Sequence, residues 1–192
     1  VIRGLLLCGG KSSRFGSDKL LATLDGIPLA VHTARNLISG TGNALAVVPA
    51  GASALRRALA GAGCEILESA DTERGLGASL AAGVSDAPRA DGWIVTLGDM
   101  PLIRPSTFAS VRAALEAGAL IAAPILRATQ QRGHPVGFSR ALAGELTALD
   151  GDEGARSVIQ RHRKAVVSIP VDDRGIVIDI DTPGDLDAAA ST

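Results

Sequence analysis

Short apolar runs alternate with helix-like segments from one end of the chain to the other, and few folds accommodate that order. Ile2–Cys8 reads as a buried strand, Pro28–Ser39 as a helix with proline near its first turn, Leu45–Val48 as a strand and Ala52–Ala62 as a helix. Cys64–Leu67 and Trp93–Leu97 continue the strands, with helices expected from Gly77–Val84 and over Pro105–Ala117. Leu120–Pro124, His134–Phe138, Val166–Pro170 and Ile176–Ile180 complete the predicted strands, and Arg140–Leu149, Gly154–His162 and Pro183–Ala190 the predicted helices. Strand, helix, strand, repeated, implies right-handed crossovers and a mostly parallel sheet covered by helices on both faces. The expectation is a single α/β domain over residues 1–192, three-layered and Rossmann-like. With three Phe, one Trp and no Tyr, its core must be built from Ala, Val, Leu and Ile, which suits packed helices over a buried parallel sheet.

Charge excludes some partners. Nineteen basic and twenty acidic residues give a net charge of −1, and they are spread along the chain. No basic footprint for nucleic acid and no polybasic membrane patch results, so neither partner is expected. Arg3, Lys11 and Arg14 bracket the first apolar run, and no run approaches the ~18 residues that span a bilayer. Val1-Ile2-Arg3 is too short and polar for a signal peptide. The sequence opens without methionine, so upstream residues are expected, and the chain is expected in the cytoplasm. Cys8 and Cys64 lie in apolar surroundings and are expected as buried, reduced thiols.

In open α/β sheets, ligands bind beyond the carboxyl ends of the strands. Four segments follow strands in this way: Cys8–Lys19, Ser69–Ser79, Gly98–Pro101 and Asp179–Asp181. The first reads Leu7-Cys8-Gly9-Gly10-Lys11-Ser12-Ser13-Arg14-Phe15-Gly16-Ser17-Asp18-Lys19. Paired glycines admit close approach of a ligand, a run of free N–H groups can cradle phosphate oxygens, and Arg14 and Lys19 add fixed positive charge. A Walker A loop would need glycine where Leu5 stands, and the dinucleotide pattern G-x-G-x-x-G does not fit Gly9-Gly10-Lys11 either. A Gly- and Ser-rich turn with solvated charges is the plain alternative.

These residues resemble the molybdenum-cofactor nucleotidyltransferases, a family within the larger group of nucleotide-diphospho-sugar-type transferases. Its pattern L-A-(A/G)-G-x-S-x-R-(F/M)-G-x-x-K is matched by Leu7 through Lys19 with Cys8 in place of the alanine, and the likeness continues over nearly the whole chain. It implies that Leu7, Cys8, Gly9, Gly10, Lys11, Ser12, Ser13, Arg14, Gly16 and Lys19 surround a nucleoside triphosphate, with Ser79 and Gly98 contributing. Arg14 and Lys19, together with Asp99, are the implied catalytic set.

Asp99 sits in Thr96-Leu97-Gly98-Asp99-Met100-Pro101, directly after an apolar strand. Mg²⁺ commonly takes one or two carboxylates plus phosphate oxygens and water, and the resemblance implies that Asp99 binds it. The alternative is a cap on the helix that follows. Asp179 and Asp181 alternate with Ile178 and Ile180, which places both on one face of a strand. The family implies Asp181 as a second Mg²⁺ ligand, although Asp181-Thr182-Pro183 equally suits a helix N-cap. Asp185 is expected as a first-turn partner of that helix's dipole. In the Ser69–Ser79 segment the family's asparagine is missing while Ser79 keeps its place.

Arg132-Gly133-His134-Pro135-Val136 resembles the R-G-H-P-V of the cytidylyl branch, and Gly151-Asp152-Glu153-Gly154-Ala155-Arg156 resembles G-D-x-G-A-R at a helix start suited to an anion. Gly133, His134, Gly154 and Arg156 are therefore implied on the side of the acceptor, a phosphorylated pterin; a structural role for His134 and a capping role for Asp152 are the alternatives. Gly9-Gly10, by contrast, resembles guanylyl members. Because the R-G-H-P-V match spans more residues, the expectation is transfer of CMP from CTP to the terminal phosphate of the molybdenum cofactor, with Mg²⁺ as cofactor and release of pyrophosphate. GTP-dependent transfer to the same cofactor, transfer to another phosphorylated acceptor, and a non-catalytic cofactor carrier are the competing readings. A molybdoenzyme client would follow from the first two.

Overall fold

A computed structural model describes residues 1–9 and 19–190 of the chain. Its centre is a seven-stranded sheet of β1 (Ile2–Leu7), β4 (Leu45–Pro49), β5 (Glu65–Ser69), β6 (Gly92–Leu97), β7 (Ile121–Leu126), β8 (Val136–Ser139) and β9 (Val166–Val171) in the order β5-β4-β1-β6-β8-β7-β9. Only β8 runs against its neighbours; the pairs β1–β4, β1–β6, β4–β5 and β7–β9 are parallel. The expected mostly parallel sheet is thus present.

Burial on both faces explains why these strands read as continuous apolar runs. Along β1, Leu6 joins Ala34, Leu37, Phe108 and Val111 on one face, where α1 (Leu29–Thr41), α2 (Ser53–Gly61) and α4 (Pro105–Glu116) pack. Leu5 and Leu7 join Leu80, Val84, Trp93, Leu146 and Val158 on the other, under α3 (Leu76–Asp86), α5 (Ala143–Thr147) and α6 (Arg156–Arg161). A third, small cluster of Leu24, Leu29 and Ile180, with Ile178 and Leu186 against it, ties the C-terminal segment and α7 (Pro183–Ala190) to the start of α1. Cys8 and Cys64 are free thiols in buried positions. Among the described residues no helix is long and apolar enough to cross a membrane.

Two local expectations are corrected, and one element is added. Ile176–Ile180 forms no strand: Arg174–Val177 is a 3-10 turn, and the residues after it run extended outside the sheet. The buried Asp173 carboxylate causes this by accepting the Gly175 N–H at 3.1 Å and starting the turn. The helix expected over Arg140–Leu149 is a 3-10 turn, Arg140–Leu142, followed by the short α5. A hairpin of β2 (Thr23–Leu24) and β3 (Ile27–Pro28) was not expected, yet its turn carries the Asp-Gly signal, Asp25 and Gly26 having φ of 52° and 76°.

Candidate active site

β1, β5 and β6 end at the same edge of the sheet, and β8, being antiparallel, starts there. Val95 on β6 faces Val136 on β8, so His134 stands near the residues that follow β6. Asp99 is the second of these. The Gly98 N–H donates to the Leu7 carbonyl at 3.0 Å, while α1 grips the turn from behind. The buried Thr33 hydroxyl donates to the Gly98 carbonyl at 3.1 Å, and the Asn36 amide to the Pro101 carbonyl at 3.0 Å. Asp99 does not cap the next helix. That role falls to Asp173, whose carboxylate accepts from the Arg104 N–H at 2.8 Å and the Thr107 hydroxyl at 2.6 Å.

Lys19 is 6% exposed and its ammonium is shared between two carboxylates. It donates to Asp99 Oδ2 at 2.8 Å and to Asp181 Oδ1 at 2.5 Å. Burial alone would favour the neutral amine, but the bonds to Asp181 and Asp99 outweigh it and hold the pKa above its ordinary value. The expectation from the sequence set this lysine on a triphosphate; in the structure it is paired with the residues expected to hold a metal.

Asp181 is brought there by its own segment. The Ile180 N–H donates to the Asp99 carbonyl at 3.0 Å, and Ile180 is anchored in the small third core. The alternation of Ile178, Asp179, Ile180 and Asp181 therefore still separates apolar from acidic side chains, though no strand is present. The cap of α7 is Thr182, whose hydroxyl oxygen accepts the Asp185 N–H at 3.2 Å. The Asp185 carboxylate reaches back to the N–H groups of Asp181 and Thr182 at 3.0 and 2.7 Å, a capping box. The Thr182 hydroxyl, which donates to the same carboxylate at 2.8 Å, and then those two N–H groups hold the Asp185 carboxyl below its usual range. The cap alternative for Asp181 is thereby answered.

Asp179 is the residue that sequence reasoning left unassigned. One carboxylate oxygen each from Asp99, Asp179 and Asp181 lies within 4.8 Å of the others. Burial first, then a hydrogen bond to Asp181 and the charges of Asp181 and Asp99, raises the Asp179 pKa. The other oxygen of Asp99, Oδ1, is buried without a hydrogen-bond partner among the described residues. Three converging carboxylates, with a buried Asp99 oxygen that has no partner among the described residues, suit a hard divalent cation, and the lysine ammonium stands as a monovalent cation on two of them.

Around this cluster the other expected residues are placed as follows. Leu7 and Cys8 are buried, so only their backbone can face a ligand; burial also pushes the Cys8 thiol well above its ordinary pKa. A Cβ on Gly9 would lie 2.7 Å from both Thr72 Cβ and Ser79 Oγ. Ser79 is fully buried, and its hydroxyl donates to the Gly75 carbonyl at 2.9 Å. It shapes the floor under Gly9 instead of presenting a donor to a nucleotide. Gly98 packs on Cys8 and Leu20. Gly10, Lys11, Ser12, Ser13, Arg14 and Gly16 lie outside the described residues.

The Arg132–Val136 stretch has packing work. The His134 N–H donates to the Ile176 carbonyl at 2.8 Å, and a Cβ on Gly133 would stand 2.0 Å from that same oxygen. Burial pushes the His134 imidazole below its ordinary pKa, while the Val95 carbonyl and the charge of Asp99 pull the other way. Its Nδ1 is buried and unpartnered among the described residues. Gly154 is buried with a φ of 57°, and Arg156 opens α6, exposed to solvent. The loop before them is seated on the first turn of α3: Gly151 accepts the Gly77 N–H at 2.7 Å, and Asp150 pairs with Arg74 at 2.9 Å. No side chain caps α6, so Asp152 does not serve there.

Carboxylates and a lysine at the carboxyl edge of such a sheet suit the phosphate chemistry of a nucleotidyltransferase. Residues 4–166 match the MobA-like NTP transferase domain, and the chain belongs to that family. A molybdenum cofactor guanylyltransferase of Burkholderia orbicola (strain MC0-3) is 33% identical over 176 residues, covering 86% of this chain and 85% of that protein. The crystal structure of Rv0371c from Mycobacterium tuberculosis H37Rv superposes with a TM-score of 0.86 at 30% identity over 100% of this chain and 97% of that one. The same mycobacterial protein, solved in complex with manganese, gives 0.81 at 26% identity, covering 100% of this chain and 98% of that one.

Proposed function

We propose that this chain transfers GMP from GTP to the terminal phosphate of the molybdenum cofactor. The observation that carries this reading is the meeting of Lys19 with Asp99 and Asp181, two of three carboxylates gathered with Asp179. An oxygen of the acceptor phosphate attacks the α-phosphorus of GTP. The new P–O bond forms as the bond to the β-phosphate bridging oxygen breaks, and pyrophosphate leaves with that electron pair. The nucleophile is already an anion at neutral pH, so no side chain has to remove a proton, and the protein's task is positioning and charge neutralisation.

Asp99, Asp181 and Asp179 would hold a divalent ion, Mg²⁺ or Mn²⁺, which when bound neutralises phosphate oxygens. Lys19 supplies positive charge to the triphosphate, and Arg14 adds a bidentate fork. Thr33, Asn36 and the Ile180 N–H keep Asp99 and Asp181 in register. Arg156 and the Gly154 turn face the acceptor side, and a molybdoenzyme is the client of the product.

The preference for GTP over CTP rests on two supports. The Burkholderia relative is named a guanylyltransferase, and Gly9-Gly10 has the guanylyl form. The Arg132–Val136 stretch, which favoured CTP in the sequence, has its Gly133 N–H on the Pro124 carbonyl, its His134 N–H on the Ile176 carbonyl against which Gly133 packs, and its Val136 buried in β8. Its pattern is explained by packing and loses its weight as a base signal. The test is incubation with the molybdenum cofactor, Mg²⁺ or Mn²⁺ and either GTP or CTP, followed by pyrophosphate release and identification of the adduct. GTP should be used with at least about tenfold higher kcat/KM, a difference of ~1.4 kcal/mol in transition-state binding. A reversed preference would return the cytidylyl reading, and no pyrophosphate with either nucleotide would remove the proposed reaction.

A further inference from the structure

We infer that Lys19 is a resident counter-cation that makes divalent-metal binding conditional on the arrival of a triphosphate. The inference rests on the proposed metal role of Asp99 and Asp181 and adds a binding order to it. The Lys19 ammonium lies 2.8 Å from Asp99 Oδ2 and 2.5 Å from Asp181 Oδ1. A divalent ion held by the same two carboxylates would bring a second cation into the space the ammonium fills. The two cations would then share the same small volume, so the ion enters only as the ammonium withdraws.

Withdrawal needs a destination. The Lys19 side chain is 7% exposed, against 20% for Asp99 and 49% for Asp181, so bulk water does not readily take over its solvation. Free metal ion must therefore displace the ammonium and leave it without an anion in a mostly buried place, which weakens binding. A metal–triphosphate complex brings its own anion, and Lys19 passes from the carboxylates to a phosphate as the ion takes its place. Until then the ammonium relieves the mutual repulsion of three carboxylates gathered within 4.8 Å. One lysine thus serves first as structural cation and then as substrate ligand, and ion and nucleotide bind with positive coupling.

Mn²⁺ titrated into the purified chain, followed by the electron paramagnetic resonance of the free ion, tests this without turnover. Lys19→Met should bind Mn²⁺ alone roughly tenfold tighter than the parent, within the usual range of coupling between sites, although it loses activity. Lys19→Gln, which keeps hydrogen-bonding capacity without the charge, should behave the same way and serves if the methionine variant does not fold. Equal or weaker Mn²⁺ binding in the folded variants overturns the inference. Asp99→Asn separates the two levels. It should weaken Mn²⁺ binding in the parent and in the lysine variants alike; binding indifferent to Asp99 would instead sink the proposed metal site on which the inference rests.

Discussion

His134 shows how one side chain can stand near the candidate site and still be governed by packing. Its imidazole is held below its ordinary pKa by burial, against the opposing influence of the Val95 carbonyl and Asp99. An imidazole depressed in the folded state contributes stability that is present above the unfolded pKa of about 6.5 and is lost as pH falls through the folded value. Urea unfolding of the parent at about pH 7 and about pH 5 should show that loss, and His134→Gln should show a smaller one. An identical pH dependence in the two proteins would take His134 out of the acid sensitivity. At this scale the sequence told which residue types the site contains, since Lys19, Asp99 and Asp181 all follow from the family pattern. It did not tell that Lys19 and the carboxylates would pair with each other, because a motif carries no distance between residues 80 and 162 positions apart.

The short turn Arg174–Val177 has a larger role than its length suggests. Three contacts set it: Asp173 starts it and caps α4 at the same time, Gly175 lies against the Leu102 carbonyl, and the Ile176 carbonyl meets Gly133 and the His134 N–H. The residues after it carry Asp179 and Asp181 to Asp99. Gly133→Ala would drive a methyl group into a backbone oxygen that cannot swing aside, so the turn must shift. We expect a stability loss of about 1–3 kcal/mol in urea unfolding, together with weaker Mn²⁺ binding; full affinity would show that the turn does not set the carboxylates. Asp173→Ala leaves a buried hydroxyl and backbone N–H groups without their acceptor, and should cost about 2–3 kcal/mol by the same measurement. The alternating Ile-Asp-Ile-Asp pattern misled the strand assignment here because burial of Ile178 and Ile180 against Leu24 and Leu29 produces the same two-residue period without a neighbouring strand. The Asp25-Gly26 hairpin, by contrast, carries its turn signal in the sequence, but strands of two residues each are too short to show a period.

Across the whole molecule, the order of the main strands and helices could be read early because each is buried on a face whose period the residues state plainly. The direction of β8 could not, since an antiparallel strand buried on both sides looks like a parallel one. If ion and nucleotide bind only to the folded chain, each should raise the melting temperature through linkage, about 2.7 kcal/mol at a hundredfold excess over Kd. Mn²⁺ with GTP should raise it by more than the sum of the two alone. A simply additive shift would mean that the two sites do not communicate.

Asp181 arrives late. The last two carboxylates of the cluster come from a segment synthesised after every strand of the central sheet, and they reach Asp99 only by folding back across it. A chain cut before Ile178 keeps every strand of the central sheet but lacks Asp179 and Asp181, the two carboxylates gathered with Asp99. If the proposed metal site holds, such a cleaved chain loses Mn²⁺ binding and turnover together.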